Sequence, residues 1–235
     1  MQITPIKTRV FRENEDLLEF IFKYVKKIPD KSILVVTSKI VALSEGRVVE
    51  YKSEAQRNSL IKRESDFSMR TKIVWLTIKD SVIMANAGID DSNGNGKLIL
   101  LPKDSFVSAQ KMRSLLRSRY NIKNLGIIVS DSGLLPFRNG VIGMARGYAG
   151  FTGIKNYKNS RDIFGRNFTY SKTNIADSLA TAATVCMGEG AERQPLALIT
   201  NAPVIFTNKI NKKELEIDPA DDIFYPLLKN IKIKK

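Results

Sequence analysis

The chain of 235 residues contains no histidine and a single cysteine, Cys186. The absence of histidine excludes imidazole acid–base catalysis, histidine metal ligands and every Ser-His-Asp arrangement. One cysteine cannot form an internal disulfide, which points to a reducing compartment. Cys186 follows the alanine-rich run 180–185, which is typical of a packed helix, so we predict a buried and unreactive thiol.

Long apolar runs are also missing from the chain. No segment approaches the roughly 20 apolar residues that a membrane-spanning helix needs. Residues 1–14 contain neither the apolar stretch nor the small-residue cleavage site of a secretory signal. We therefore expect a cytoplasmic protein with no membrane partner.

Acidic residues are outnumbered, with 24 Asp and Glu against 38 Lys and Arg, which gives a formal net charge of +14. Such a surface attracts polyanions, and nucleic acid is the first partner to consider. However, the basic residues are spread along the chain, and aromatic residues do not alternate with them in a base-stacking pattern. The pattern therefore favours a solvated surface, or attraction of phosphorylated small molecules, over a nucleic-acid partner.

Hydrophobic residues make up 43% of the chain, enough for the core of one domain over residues 1–235 or of two closely packed lobes. No repeat, low-complexity linker or shift in composition divides it. Periodicity and turn residues predict both strands and helices, without the regular alternation of a doubly wound sheet. We therefore predict an α+β fold of mixed sheets with packed helices.

The individual elements follow from the same patterns. Helices are predicted over 13–26, 105–120 and 174–187, the second with a basic outer face (Lys111, Arg113, Arg117, Arg119) and the last capped by Thr173. Strands are predicted within 31–40, at 72–78 and 81–84 around a turn at 79–80, and over 98–101, 125–129, 196–200 and 204–207. The glycine-rich passage 140–153 predicts a loop or a strongly bent strand.

Two acidic segments follow apolar runs. Asp90, Asp91, Ser92 and Asn93 come behind the run 81–84, and Ser130-Asp131-Ser132 follows the run 125–129. Two strands that each end in an aspartate can aim hard oxygen ligands at one place. Oxygen ligands suit Mg²⁺ or Mn²⁺, which in turn hold phosphates. The sequence therefore predicts nucleotide-dependent chemistry.

Simpler interpretations of the same segments remain open at this stage. Residues 91–96 resemble the start of an EF-hand loop, but Pro102 stands where the bidentate Glu should close it. A phosphate-binding P-loop is excluded because Gly96-Lys97 is followed by Leu98. The segment could equally be an Asn-Gly hairpin turn, and Asp131 an Asx turn at a strand end. Lys39, behind a buried strand, is either a surface lysine or a phosphate ligand.

The ordered set of motifs resembles a known family, the coenzyme F420-0:L-glutamate ligases, which are GTP-dependent γ-glutamyl ligases. The blocks run in family order over nearly the whole chain. They comprise Leu34-Val35-Val36 through Ser38-Lys39-Ile40-Val41 with Glu45-Gly46-Arg47, Ala85-Asn86-Ala87-Gly88-Ile89-Asp90 with Ser92-Asn93, Leu100-Leu101-Pro102-Lys103-Asp104 with Ser108-Ala109 and Arg113, Ser130-Asp131-Ser132 with Pro136, Arg138, Gly140 and Ile142-Gly143, Asp162-Ile163-Phe164-Gly165-Arg166, and Ala176-Asp177 with Met187-Gly188-Glu189.

The resemblance implies a reaction and a homodimer. GTP and two divalent cations, Mg²⁺ or Mn²⁺, activate an acceptor carboxylate as an acyl phosphate, which the amine of L-glutamate attacks. Such phosphoryl transfer depends on positioning and charge neutralisation more than on a side-chain nucleophile, so a chain without histidine can perform it. The implied fold is α+β and is neither a P-loop nor a Rossmann fold.

The resemblance also implies roles for individual residues. By position, Asp90 and Asp131 ligate one metal and Ser132 lies near the second. Lys39 and Asn93 contact the nucleotide, and Glu189 contacts the nucleotide or a metal. Arg138 and Arg166 are suited to clamp phosphate or carboxylate groups, with Arg138 assigned beside Asp90 and Asp131 to the catalytic group.

Departures from the family pattern concern mainly the acceptor. One arginine is replaced by Leu135 and a tryptophan by Phe137, residues 6–10 lack the Gly-Ile/Leu-Pro motif, and residues 94–96 form a more flexible loop. The implied acceptor is the deazaflavin F420-0. Reduced folate, which carries a γ-glutamyl tail with the same bond, is the main alternative, and a catalytically silent nucleotide- or nucleic-acid-binding module is the third.

Overall fold

The computed structural model describes residues 1–92, 94, 96–209 and 211–228. The strands are β1 Gln2–Ile6, β2 Ser32–Thr37, β3 Val48–Glu50, β4 Phe67–Arg70, β5 Trp75–Lys79, β6 Val82–Ala85, β7 Lys97–Ile99, β8 Leu125–Leu134, β9 Val141–Ala149, β10 Ile154–Asn156, β11 Lys172–Asn174 and β12 Leu196–Thr200. The helices are α1 Leu17–Tyr24, α2 Ser38–Ser44, α3 Glu54–Glu64, α4 Ser105–Tyr120, α5 Ile175–Met187 and α6 Tyr225–Leu228. The predicted α+β class is confirmed.

A five-stranded mixed sheet of order β1-β12-β2-β8-β9 forms the centre of the molecule. β2 is buried along its length because both of its faces are covered. Leu34 and Val36 pack with α1 and α4 on one face, and Ile33 and Val35 pack with the alanine-rich side of α5 on the other. β2 and β8 are parallel, whereas their outer neighbours run antiparallel.

Smaller sheets lie beside this centre and carry the first acidic segment. β4, β5 and β6 form a three-stranded antiparallel sheet, and β3 pairs with β7. A third apolar cluster, which includes Leu60, Ile61 and Leu98, packs α3 against β7. Among the described residues, no helix combines the length and the apolar character that crossing a membrane requires.

Several predicted elements are confirmed. Helix α4 has the predicted limits and β12 covers 196–200. The hairpin of β5 and β6 is confirmed, but it turns at Asp80 and Ser81, one residue later than predicted. The helix predicted at 13–26 forms only at Leu17–Tyr24, where Asp16 caps it by accepting from Leu18 N and Glu19 N. The strand predicted within 31–40 stops at Thr37, because Ser38 already begins α2.

The glycine-rich passage predicts a loop or a strongly bent strand, and most of it forms the strand β9, whose pairing with β8 is interrupted by a register shift. Its glycines serve close packing. A Cβ on Gly143 would lie 2.4 Å from the Ala180 carbonyl oxygen of α5, and one on Gly147 would lie 2.4 Å from the Ser105 carbonyl carbon at the start of α4. The strand predicted at 204–207 is wrong, since only Phe206 forms an isolated bridge there, with Phe151.

Three side-chain predictions are also wrong. Arg113 does not face outward on α4 but is 4% exposed, and its Nε donates to the Leu125 carbonyl oxygen at 2.7 Å. Cys186 is exposed, because α5 buries residues 176, 179, 180, 183 and 187 and turns 186 outward. The N-cap of α5 is Asn174 rather than Thr173, and its side chain accepts from Asp177 N.

Candidate active site

The junction of β2 and α2 brings the first polar groups to the site. β2 pairs with β8 so that Thr37 lies opposite Ser130, which places the start of α2 beside Asp131. Ser38, 5% exposed, donates its hydroxyl hydrogen to Asp131 Oδ1 at 2.9 Å. The sequence predicts that Asp131 ends its strand, but Asp131 lies within β8. The strand continues to Leu134 in its hairpin with β9.

Burial dominates the electrostatics of Asp131 and raises its pKa to about 6. The hydrogen bond from Ser38, the positive charge of Arg146 and the Ser132 N–H act in the opposite direction, while Asp90 adds to the rise. In the part of the chain that the structure describes, no basic side chain lies within 4.0 Å of its carboxylate. The carboxylate is therefore short of positive charge.

Asp90 lies in a different environment. Lys39 Nζ is 2.7 Å from Asp90 Oδ2, and the same ammonium donates to Ser92 Oγ at 3.0 Å and to the Ser92 carbonyl oxygen at 3.2 Å. Burial alone would raise the pKa of Asp90, but the hydrogen bonds from Lys39 and Ser92 outweigh it and the pKa is lowered. Asp90 does not directly follow β6 either, because a turn at Asn86–Gly88 intervenes.

The end of α5 adds an acidic group from another direction. Gly188 ends the helix with a φ of 79°, and Glu189 then accepts a hydrogen bond from Ser132 Oγ at 2.6 Å. Ser132 comes from β8, so this contact joins the central sheet to the segment after α5.

These groups open into one cavity of about 870 Å³. Lys39, Asp90, Ser92, Asp131, Ser132 and Glu189 line one part of it, and residues 8–11 and 188–195 line much of the rest. That volume is within the range of small-molecule and cofactor sites. The cavity combines carboxylates, hydroxyls and an ammonium in a single space that a phosphorylated molecule can enter.

The donor set of the cavity suits a hard divalent cation. Asp90, Asp131, Ser132 and Glu189 offer only oxygen atoms, the ligands that Mg²⁺ and Mn²⁺ prefer. Within the described ranges, no three carboxylate or thiol side chains are grouped closely enough to enclose an ion by themselves. Lys39 now neutralises Asp90, whereas Asp131 has a raised pKa that a nearby cation would lower.

Two of the predicted arginines lie elsewhere. Arg138 follows the tip of the β8–β9 hairpin and is exposed, and Arg166 is exposed in the loop between β10 and β11, where its N–H donates to Asp162 Oδ1. Neither lines the cavity. Asn93 lies outside the described residues, so its predicted contact with the nucleotide stays a prediction.

Sequence reasoning missed two residues of this site. Ser38 was seen only as part of a motif, although its position before Lys39 could have indicated it. Arg146, whose charge acts on Asp131 although it does not line the cavity, gives no sequence signal because its position depends on an irregularity. β9 shifts register against Val129 and Ser130 and leaves Arg146 as the extra residue. Its side chain is 7% exposed and lies 3.6 Å from Asp80 Oδ2.

Comparison with known proteins assigns the family. The family model described as F420-0:Gamma-glutamyl ligase matches residues 5–201. A protein of Methanococcus maripaludis (strain C7) named Coenzyme F420:L-glutamate ligase is 32% identical over 95% of this chain and 97% of its own length. A protein with that name from Methanocaldococcus jannaschii is 29% identical over 95% of this chain and 96% of its own length. Another, from Methanothermobacter thermautotrophicus, is 31% identical over 74% of this chain and 76% of its own length. The chain belongs to the F420-0:gamma-glutamyl ligase family, a family of amide-forming ligases.

Proposed function

We propose that this protein uses GTP and two divalent cations to join L-glutamate to the carboxylate of coenzyme F420-0 through an amide bond. The observation that carries the proposal is the single cavity in which Lys39, Asp90, Asp131, Ser132 and Glu189 meet. Its oxygen ligands and its ammonium match the two needs of phosphoryl transfer, which are a metal–phosphate complex and charge neutralisation. The names of the relatives supply the acceptor.

The reaction needs no side-chain nucleophile. An oxygen of the acceptor carboxylate attacks the γ-phosphorus of GTP, the bond to the bridging oxygen breaks, and GDP leaves with that electron pair. The resulting acyl phosphate is attacked at its carbonyl carbon by the amine of glutamate. The carbon–oxygen bond to the phosphate then breaks, inorganic phosphate departs, and the amine nitrogen loses its proton as the amide forms.

The residues of the cavity orient and neutralise these groups. When bound, the divalent cations supply charge stabilisation on the transferring phosphoryl group. Asp90, Asp131 and Ser132 are the residues that would hold them, and the hydrogen bond from Ser132 to Glu189 supports Glu189 as a further ligand of the second cation. Lys39 exchanges Asp90 for a phosphate oxygen of the nucleotide, because its ammonium already faces the cavity.

Reduced folate stays the alternative acceptor because of the hairpin between β8 and β9. Leu135 and Phe137, which replace an arginine and a tryptophan of the family pattern, are 45% and 99% exposed. Side chains so exposed are available to an acceptor or to another protein surface. Because Leu135 and Phe137 differ in charge and size from the residues of the family pattern, both acceptors should be tested.

A paired assay tests the proposal. Purified protein is incubated with GTP or ATP, Mn²⁺ or Mg²⁺ and isotopically labelled L-glutamate, with either F420-0 or a reduced folate monoglutamate, and products are identified by mass. Glutamate added to F420-0 with GTP supports the proposal, and addition to folate alone shows that the acceptor differs. Asp131→Asn tests the metal assignment in the same assay. This variant should keep the fold and lose turnover because it removes a charge beside the metal. Full activity of that variant would contradict the metal assignment.

A homodimer is part of the same proposal. Arg138 and Arg166 lie outside the cavity of their own chain, and exposed apolar residues are close to each of them in sequence. A second copy could bring such residues to the acceptor end of the site. The family resemblance also favours a dimer.

A further inference from the structure

Asp90 is reached through a turn of unusual backbone conformation. Asn86, Ala87 and Gly88 follow one another with φ angles of 53°, 56° and 70°. For a residue with a Cβ this left-handed region costs about 1–2 kcal/mol, so only surrounding contacts can hold Asn86 and Ala87 there. Ala87 is 1% exposed, which means that the turn is built into the protein and not left to solvent.

The hydroxyl of Thr77 holds the middle of this turn. Thr77 belongs to β5 and is 0% exposed. Its Oγ1 donates to the Met84 carbonyl oxygen at 2.7 Å and accepts from the Ala87 N–H at 2.8 Å. A single buried oxygen atom therefore ties the end of β6 to the left-handed turn and satisfies a backbone donor that water does not reach.

Contacts on either side complete the clamp. Asn86 Oδ1 accepts from the Trp75 N–H at 3.0 Å, and the Asn86 carbonyl oxygen accepts from Ile89 N at 3.0 Å. A Cβ on Gly88 would lie 2.6 Å from Leu101 Cδ1, so the turn packs directly on the chain that follows β7.

The exit from the turn is fixed as well. Asp90 N–H donates to the Ile99 carbonyl oxygen at 2.9 Å, and Ile99 N–H donates back to the Asp90 carbonyl oxygen at 2.8 Å. The backbone of Asp90 therefore has a defined position on both sides, while its carboxylate faces the cavity. Such preorganisation is what a metal ligand requires from its supporting residues.

We propose that Thr77 is a positioning residue for the metal site, because its hydroxyl holds the left-handed turn that aims Asp90 into the cavity. Thr77 does not line the cavity and acts through the backbone of Met84 and Ala87. The inference rests on the proposed role of Asp90 as a metal ligand. It adds an uncharged residue on β5, outside the lining of the cavity, to the residues that determine metal binding.

The test compares hydroxyl variants by the Mn²⁺ affinity of the full chain, measured from the electron paramagnetic resonance signal of free Mn²⁺ without nucleotide. Thr77→Val keeps the shape and removes both hydrogen bonds, and its dissociation constant for Mn²⁺ should rise about tenfold. Thr77→Ser restores the oxygen and should stay within about twofold of the unsubstituted protein. In turnover assays Thr77→Val should raise the apparent KM for Mn²⁺ and recover most of kcat at saturating metal.

Ser65→Ala is the matched control. Ser65 is also buried and donates its hydroxyl hydrogen to the Ile61 carbonyl oxygen at 2.8 Å, at the end of α3 beside the same small sheet. The loss of this hydroxyl should lower the melting temperature without changing Mn²⁺ affinity. If Thr77→Val does not fold, Asn86→Gly serves instead, because glycine tolerates the φ of 53° but leaves Trp75 N–H without its acceptor.

The outcomes separate this inference from the proposed function. Equal Mn²⁺ affinity in the unsubstituted protein and Thr77→Val, or an equal loss in Ser65→Ala, would overturn the role of Thr77 alone. An unsubstituted protein that binds no Mn²⁺ with or without GTP would overturn the metal site and this inference with it. Weak Mn²⁺ binding in Thr77→Val, restored in Thr77→Ser, supports both.

Discussion

Asp90 and Asp131 line the same cavity but lie in opposite charge environments. Lys39 and Ser92 lower the pKa of Asp90 against the effect of burial, so this carboxylate is ionised and already paired. Burial raises the pKa of Asp131 to about 6, and Arg146, whose charge acts on this carboxylate, forms no ion pair with it. A cation entering the cavity therefore gains most at Asp131 and must displace Lys39 at Asp90.

The pKa of Asp131 predicts how the stability of the metal-free protein depends on pH. An unfolded aspartate has a pKa of about 3.9, so the folded state holds this proton more tightly. The group thus stabilises the fold below about pH 4, and this contribution is lost as the pH rises through about 6. Asp131→Asn should therefore gain melting temperature relative to the unsubstituted metal-free protein between pH 4 and 7. Parallel melting curves across this range would show that Asp131 is not perturbed.

Lys39 should govern nucleotide affinity more than the chemical step. Lys39→Ala removes the ammonium that faces the cavity, and we expect the apparent KM for GTP to rise about tenfold with a smaller change in kcat, since one charge-assisted phosphate contact is lost. Steady-state kinetics at saturating Mn²⁺ measure both constants. Lys111→Ala, a change of the same kind on the exposed face of α4, should leave them unchanged. An unaltered GTP affinity in Lys39→Ala would make Lys39 a structural partner of Asp90 only.

At the residue scale, the sequence predicts what is encoded in residue type and order. Lys39, Asp90, Asp131, Ser132 and Glu189 could be named from motifs, and the fold brings them to one cavity. Burial of charged and polar side chains could not be predicted, because it depends on contacts far away in the chain. Arg113 is buried by Leu125 and Asn208, neither of which is near it in sequence.

At the element scale, the irregularity in β9 connects a helix terminus to the site. The Ala145 N–H donates to Asp177 Oδ1 of α5 at 2.8 Å, beside the register shift at Val129 and Ser130. Arg146 is thereby turned into the protein, where its charge acts on Asp131. Bulges of this kind often re-aim a side chain next to an active site.

Removal of the Asp177 carboxylate should loosen this part of the sheet. Asp177→Ala leaves the Ala145 N–H without its acceptor, so we expect a loss of about 1–3 kcal/mol in the free energy of unfolding, together with lower kcat. As a control, Asp16→Ala removes the N-cap of α1 and should cost about 1 kcal/mol without an effect on kcat. Urea unfolding and ligase assays measure the two quantities. Full activity in Asp177→Ala would show that the bulge has no role in the site.

The elements also differ in how well sequence could predict them. β2 is predictable because its apolar run is unbroken, and α4 is predictable because its apolar residues recur with a helical period. α3 is not, because only Leu60 and Ile61 of its residues are buried and its pattern has almost no apolar face. The glycines of β9 predict a loop from sequence alone. In the structure they allow α4 and α5 to approach the strand closely, where a Cβ would clash with helix backbone atoms.

At the scale of the whole molecule, apolar side chains are exposed on two separate projections. Leu134, Leu135 and Phe137 lie on the β8–β9 hairpin, and Ile163 and Phe164 lie on the loop between β10 and β11, with Phe137 99% and Phe164 81% exposed. Exposed apolar groups of this size mark interaction surfaces. Arg138 lies on the same hairpin and Arg166 on the same loop, which supports the proposed homodimer.

The dimer can be tested by light scattering after size-exclusion chromatography. The unsubstituted protein should have twice the mass of one chain, and Phe164→Asp should shift it toward the monomer because a carboxylate cannot be buried there without a partner. Ile73→Asp changes a residue that is 82% exposed at the β4–β5 turn and should leave the mass unchanged. A monomeric and fully active unsubstituted protein would contradict the homodimer.

The ion pair between Lys39 and Asp90 has a thermodynamic consequence for the order in which ligands bind. A cation that takes Asp90 releases the ammonium for a phosphate, and by linkage each ligand must then strengthen the other by the same factor. Under the proposed function, the cavity would therefore bind nucleotide that arrives without its metal more weakly than the metal–nucleotide complex. Occupancy of the site would then depend on metal supply through one side chain, Lys39.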